Sequence, residues 1–401
     1  MAVLLHLEDP ALPPARGWAL WALGFRPFYL MASVLAALSV PIWALQVSGW
    51  LDHAVLRGPV WHAHEMLFGF TLAVVVGFLF TAGRNWSDQP TPSGGLLMAL
   101  ALLWLAARLL VLSPWPLAAA AANVAFPLAA AWGLGRALWA GRNRRNYFFV
   151  GLLLLLAVAA ALVHAVQLGW LVLPGMLGVQ AGFGVVLVII VVMAGRVVPM
   201  FTNNGVPGAN ARRHPVIEQL ALASVLALLV NDVVQGAADL AWPALTVVLA
   251  LLAAGVHAAR LGLWQPWATR RNPMVWVLHA AYAWIPLHLL LRAAAAAGWL
   301  APSLATHALT VGAIGAITLG MMTRTARGHT GRPLKADRFD VASYVLVLGG
   351  AAARVALPLV MPSAQLVAIL GSALLWSAGF TLYALHYGPW LCRPRLDGRP
   401  G

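Results

Sequence analysis

The sequence predicts an all-α integral membrane protein with twelve transmembrane helices, on three observations. Of its 401 residues, 62% are hydrophobic and only 9% charged, whereas a soluble globular chain carries about a quarter charged residues. A water-soluble enzyme is excluded. The apolar residues also fall into stretches of the length that a hydrocarbon core of about 30 Å demands, roughly 20 residues each. Finally, 25 Lys and Arg against 11 Asp and Glu concentrate in alternate connections, the bias that orients membrane helices.

The twelve stretches run over 28–48, 61–82, 94–113, 116–139, 147–168, 174–195, 216–235, 241–260, 273–297, 302–326, 338–361 and 364–388. No segment long enough to fold in water is left over, so residues 1–401 form a single polytopic domain. Within it 1–27 is expected to be a cytoplasmic N-terminal segment and 389–401 a cytoplasmic tail. Glu8, Asp9, Pro10, Pro13 and Pro14 precede any long apolar run, so no cleavable signal peptide is expected.

The charge excess reads as topology. Twenty-one of the 25 basic residues fall on the side of the N terminus, among them Arg142, Arg144, Arg145, Arg212, Arg213, Arg270, Arg271, Arg327 and Arg332. Both termini are then cytoplasmic, and membrane lipid, not nucleic acid, is the expected environment. The four exceptions are Arg57, Arg108, Arg292 and Arg354, all mapping to the outer half. Arg108 and Arg292 could snorkel to the headgroups, but Arg354 lies within helix 11 and needs an anionic partner or a wet cavity. A haem carboxylate would supply such a partner for Arg354 and Arg57. The single cysteine, Cys392, leaves no disulfide and no cysteine-ligated metal, so any metal must be held by histidine.

Ionisable groups within a bilayer are costly and point to function. His62, His64, His164, His288 and His307 map to the outer half of helices 2, 5, 9 and 10, whereas His257, His279 and His386 lie toward the cytoplasmic ends of helices 8, 9 and 12. The densest segment is WHAHEMLFGF, residues 61–70. His62 and His64, two positions apart, point about 200° away from each other on a helix, so helix 2 can serve two sites. His62 and Met66 share a face, and an imidazole with a thioether suits copper. Glu65 is placed to orient an imidazole or to deliver protons. A single intramembrane histidine is commonly polar glue between helices; five in one half of the membrane favour metal or haem.

Helices 2 and 10 echo each other. His64 is followed by Gly69, Gly77 and Arg84 at offsets of 5, 13 and 20, and His307 by Gly312, Gly320 and Arg327 at the same offsets. Chance or an old duplication could produce this. If it is functional, His64 and His307 stand at matched depth, as a bis-histidine haem would require.

Six segments carry a resemblance that spans nearly the whole chain: GFRPFYL (24–30), WHAHEMLFGF (61–70), GRVVPMFTNN (195–204), LHAAYAW (278–284), HALTVGAIG (307–315) and GHTGRPL (328–334). The chain resembles the NnrS family of haem- and copper-containing membrane proteins associated with nitric oxide stress in denitrifying and pathogenic bacteria. The resemblance implies a multi-pass protein of the bacterial inner membrane, with b-type haem and copper as cofactors, nitric oxide as the small-molecule partner and an electron donor of unknown identity. It carries His62, His64, His279, His307 and His329 over as motif histidines. His288 and His164 lie outside the matched segments, and His164 stands as a candidate on its position alone.

A looser likeness is to the catalytic subunit of haem–copper oxidases, which also has twelve helices and haem ligands on helices 2 and 10. Helix 6 here has no histidine, so a copper site built in the oxidase manner is unsupported, and fold analogy does not set function. Two function classes remain open: a redox or binding protein for nitric oxide, and a twelve-helix transporter of metal, haem or a small anion. The candidate site residues are Glu65 as catalytic carboxyl; His62, His64, His164, His279, His307, Arg57 and Arg354 toward a cofactor; and His62, His64, His279, His307 and Met66 toward a metal.

Overall fold

The computed structural model describes residues 17–53 and 58–398. Among them twelve helices are long and apolar enough to cross a membrane: α1 (Phe25–Val47), α2 (Pro59–Ser87), α3 (Gly94–Val111), α4 (Pro116–Ala140), α5 (Arg144–Gln167), α6 (Leu177–Gly205), α7 (Pro215–Ala238), α8 (Pro243–Leu263), α9 (Pro273–Ala296), α10 (Pro302–His329), α11 (Arg338–Val360) and α12 (Pro362–Cys392). No strand occurs among the described residues. Each apolar stretch of the sequence corresponds to one helix.

Local chemistry sets the ends. Pro59, Pro116, Pro215, Pro243, Pro273 and Pro302 occupy first turns, where the missing N–H costs nothing and φ is already helical. After α5 and α9 the chain turns at Gly169 (φ +72°) and Gly298 (φ +80°), a left-handed conformation that a Cβ disfavours.

Each helix packs against its neighbour in sequence, and α12 closes onto α1. There Trp376 Nε1 donates to the Ala36 carbonyl at 3.1 Å. Helices α2 and α6 are 83% buried over their most apolar portion and α10 67%, against 22% for α7 and 28% for α8. Those three therefore form the interior on which the rest are arranged. Close approach depends on small residues: a Cβ at Gly182 of α6 would stand 2.5 Å from Leu67 Cδ2 of α2. The outer faces carry Leu109, Leu252, Val367, Leu374 and Leu385, each more than half exposed. Such a surface is untenable in water and costs nothing against lipid tails.

Several helices outrun their apolar stretches at the C-terminal end, most of all α6 by ten residues, α2 by five and α12 by four. In α6 the added turns contain Arg196 and Pro199, both of which suggest a loop. Arg196 Nη1 instead donates to Asn146 Oδ1 at 2.6 Å and the guanidinium lies over the Phe148 and Phe149 rings. The charge is satisfied at the membrane edge, and the helix continues to Gly205.

Candidate functional site

Two cavities open on either side of α2, in the half of the bundle away from its termini. Both begin with the histidine pair at the start of that helix, where the backbone switches to a π-helical segment over Glu65–Thr71 directly after His64. The same switch occurs in α10, over Ala308–Gly315, directly after His307. A π segment shifts the register of the side chains that follow and is frequent at functional sites. The echo between the two helices thus extends from spacing to backbone conformation.

The first cavity, about 290 Å³, lies between α1, α2, α6, α10, α11 and α12; His62, Met66, His307, Arg354, Trp43 and Trp376 are among the residues lining it. Trp43 stacks on the His62 ring with centroids 4.2 Å apart and planes 15° from parallel. His62 Nδ1 is buried and has no hydrogen-bond partner. His307 Nδ1 lies 2.6 Å from the Ser303 carbonyl. A carbonyl only accepts, so Nδ1 carries the proton and Nε2 the lone pair that a metal requires. Arg354 is 4% exposed and its Nη1 is without a partner. A buried cation with an open donor, in a cavity lined mostly by aromatic and apolar groups, is a place for an anion.

The second cavity, about 370 Å³, is bounded by the start of α2, the end of α3, the start of α4 and the end of α5, and His64 and His164 line it. Their rings meet edge to face with centroids 5.1 Å apart, and both Nε2 atoms are buried without partners. Glu65 Oε1 accepts from His64 Nδ1 at 2.9 Å and from Arg108 Nη1 at 2.8 Å. The carboxylate therefore fixes the His64 tautomer with its Nε2 lone pair facing outward, the arrangement that orients metal-binding imidazoles. Arg108 also donates to Asn123 Oδ1, and Asn123 Nδ2 donates to the Ala119 carbonyl at 2.8 Å. Gly69 makes room for this network: a Cβ there would lie 2.5 Å from Leu35 Cδ2 and 3.0 Å from Arg108 Nη1.

The structure brings some of the sequence candidates together and separates others. His62 and Met66 line one cavity with His307 and Arg354, and His64 and Glu65 join His164. The matched pair suggested by the echo and by the oxidase likeness, His64 with His307, does not share a cavity. The 200° between successive histidines of α2 turns His64 toward α5, and it is His62 that reaches α10. His279 lines neither cavity; its Nε2 is 2.8 Å from Thr202 Oγ1, which itself donates to the Val198 carbonyl. Arg57 lies outside the described residues. Arg108 and Arg292 do not snorkel: Arg108 is buried against Glu65, and Arg292 pairs with Asp232.

Several participants gave no usable sequence signal, among them Trp43 and Asn123. His288, near His307 in depth, donates through Nδ1 to the Ala305 carbonyl at 2.7 Å and leaves Nε2 buried and open. His329 packs against the Phe25 ring.

Nearer the termini Arg260 and Arg327 are saturated, while Arg26, His257 and His279 each keep a buried nitrogen without a partner. Arg260 donates through Nε and Nη2 to Glu218 and through Nη1 to the Val191 carbonyl and Tyr282 Oη. Tyr282 Oη also meets His257 Nδ1 at 2.6 Å. The ligand atoms of Asp337, Asp340 and His386 lie within 4.8 Å of one another. The Arg327 guanidinium reaches both carboxylates at 2.6 Å, so the positive charge there is already supplied.

Residues 19–395 match the family model for the NnrS protein. No curated protein matches the chain.

Proposed function

The chain belongs to the NnrS family and is a multi-pass membrane protein of that nitric oxide-stress family, and from this premise we propose that it holds haem and copper in the two cavities beside α2 and relieves nitric oxide stress there, by binding the gas or turning it over. The observation that carries the reading is that His62 and His307 line one cavity and His64 and His164 the other, with a buried ring nitrogen of His62, His64 and His164 left without a partner. His257 and His279 also keep one buried nitrogen without a partner, but neither lines these cavities beside a second imidazole.

The residues of the first cavity fit a haem. Its walls are mostly aromatic and apolar, two imidazoles line it from α2 and α10, and Arg354 offers an unpartnered Nη1 to a carboxylate. Met66 on the same wall adds a soft donor. The second cavity is more polar, and its two open Nε2 atoms backed by Glu65 suit copper. When bound, such metals supply an electron-accepting centre that coordinates nitric oxide. The protein's own part is to hold His64 in one tautomer through Glu65, to keep the first cavity dry with Trp43 and Trp376, and to present a carboxylate within reach of the second. Nitric oxide is small, neutral and apolar, so it reaches such sites from lipid without a hydrophilic channel.

In this reading the face that carries the termini is cytoplasmic, the membrane is the bacterial inner membrane and both cavities lie toward its outer side. Transport has less support: the carboxyls Glu65, Glu218, Asp232 and Asp340 are each paired with an arginine, leaving none of them free for ion coupling. The test is absorbance and metal content of the purified protein. A Soret band with iron, and copper in addition, is the expected result; absence of all three ends the proposal. Anaerobic nitric oxide with a reductant then separates the two modes, since turnover yields nitrous oxide and binding yields only a shifted spectrum.

A further inference from the structure

Two of the segments that carry the family resemblance, GFRPFYL and GHTGRPL, are not used by either cavity, and they meet at the face that carries the termini. Arg26, from the first, is fully buried at the start of α1. Its Nη1 donates to the carbonyls of Leu391 at 2.9 Å and Arg393 at 2.7 Å, closing the end of α12. Its Nε and Nη2 are buried and have no partner.

These two nitrogens form one edge of the guanidinium, with parallel N–H groups spaced for two oxygens of one anion. The same molecule shows what the edge is for. Arg260 lays Nε and Nη2 on the two oxygens of Glu218 while Nη1 takes a backbone carbonyl, and Arg327 turns Nε and Nη2 to Asp340. Arg26 repeats the backbone contact and leaves the edge open.

The surroundings supply further positive charge. His329, from the second segment, packs on the Phe25 ring beside Arg26 with centroids 5.6 Å apart, as a neutral imidazole near Arg395, Arg26 and Arg84. Arg84 has no hydrogen bond or ion pair among the described residues. Arg332 donates to the Thr330 carbonyl at 3.3 Å and lies over the Trp390 ring. Burial, with Arg327 and Arg393 nearby, pushes its guanidinium below the usual value. The one described carboxylate close by, Asp397, is taken by Arg395 through both oxygens, at 2.8 and 2.6 Å.

We infer that the open edge of Arg26, with Arg84 and His329, binds a phosphate-class oxyanion, supplied either as free phosphate or as the phosphodiester of an anionic lipid headgroup. A phosphate offers two oxygens to the edge and a third to Arg84 or to a ring N–H of His329, which a carboxylate cannot do.

The test uses the purified full-length protein. Its thermal unfolding is followed with inorganic phosphate against chloride at equal ionic strength in detergent, and in nanodiscs of phosphatidylglycerol against phosphatidylcholine. A rise in melting temperature with phosphate in detergent identifies the free anion; a rise only with phosphatidylglycerol identifies the headgroup. Arg26→Gln removes the edge and also the closure of α12, so Arg84→Gln serves as the second variant, because Arg84 holds no part of the fold by hydrogen bonding. The half-saturating phosphate or phosphatidylglycerol concentration should rise roughly tenfold in Arg84→Gln, the size of one lost charge-assisted contact. The inference is overturned if neither probe raises the melting temperature, or if the rise is undiminished in Arg84→Gln. It is equally overturned if a rise appears only in the Glu8→Gln, Asp9→Asn double variant, which would make the N-terminal segment the natural occupant.

Discussion

Two sets of buried polar groups, the arginine clusters around Arg260 and Arg327 and the histidines and Arg354 beside α2, are built from the same residue types to opposite ends. Near the termini, Arg260 spends its donors on Glu218, Val191 and Tyr282, and Arg327 on Asp337, Asp340 and Tyr387. Away from them, Arg354 and the imidazoles of His62, His64, His164 and His288 keep nitrogens that meet nothing. A buried polar group left open costs stability that a saturated one does not. The first arrangement serves the fold, and the second is an expense that only a ligand offsets.

The largest effect expected from breaking this contrast is loss of the bound group itself. His62→Ala and His307→Ala, made singly, should each remove most of the Soret absorbance per mole of protein, whereas His257→Ala, whose Nδ1 meets Tyr282 in the Arg260 network and which lines neither cavity, should leave it intact. Equal loss in all three would mean that the two sets do not differ in this way. The next effect is on stability. Arg260→Met leaves the half-buried Glu218 with only Arg213, at 3.7 Å, and takes a donor from the Val191 carbonyl and Tyr282, so it should cost about 1–3 kcal/mol, seen as a fall in melting temperature of the metal-free protein. Arg354→Met in the same state removes a buried cation whose Nη1 has no partner, and its melting temperature should hold or rise.

How much of this was legible in the sequence differs between fold and site. Helix number and placement follow from apolar length and from the arginine bias, because lipid leaves so few alternatives to a spanning helix. The ends were less legible where tertiary partners override a local signal, as Asn146 does for Arg196 in α6. Within the site, rotation along α2 is enough to send His62 and His64 to different cavities, but which distant helix meets each ring depends on packing order. Sequence offsets matched His64 to His307, while the fold brings His164 to the first and His62 to the second. The pairing of Arg108 with Glu65 was likewise invisible, since 43 positions separate them.

A smaller effect is expected where the two strategies touch. Glu65 is saturated, yet it serves an imidazole that is open. Glu65→Gln keeps the shape of the side chain and removes the charge that holds His64 in its tautomer, so copper affinity should fall about 10–100-fold with the haem spectrum retained. Loss of both together would mean that the cavities are one coupled site.

The smallest effect belongs to the saturated cluster at the start of α11, where Asp337 caps the helix by accepting from the backbone of Phe339 and Asp340. Burial works against its charge. The Asp340 backbone N–H, His386 and Arg327 outweigh that and hold the carboxyl below its ordinary value of 3.8. A carboxyl depressed in the folded state contributes stability that is fully present above its unfolded value and is lost as pH falls through the folded one. Asn caps a helix as well as Asp does, so Asp337→Asn isolates the charge. The melting temperature of the variant should lie below that of the unaltered protein by a constant margin above about pH 5. The margin should close as the pH drops below 3.8. A margin independent of pH would assign the contribution of Asp337 to cap geometry alone and leave the charge of this cluster without a part in holding the fold.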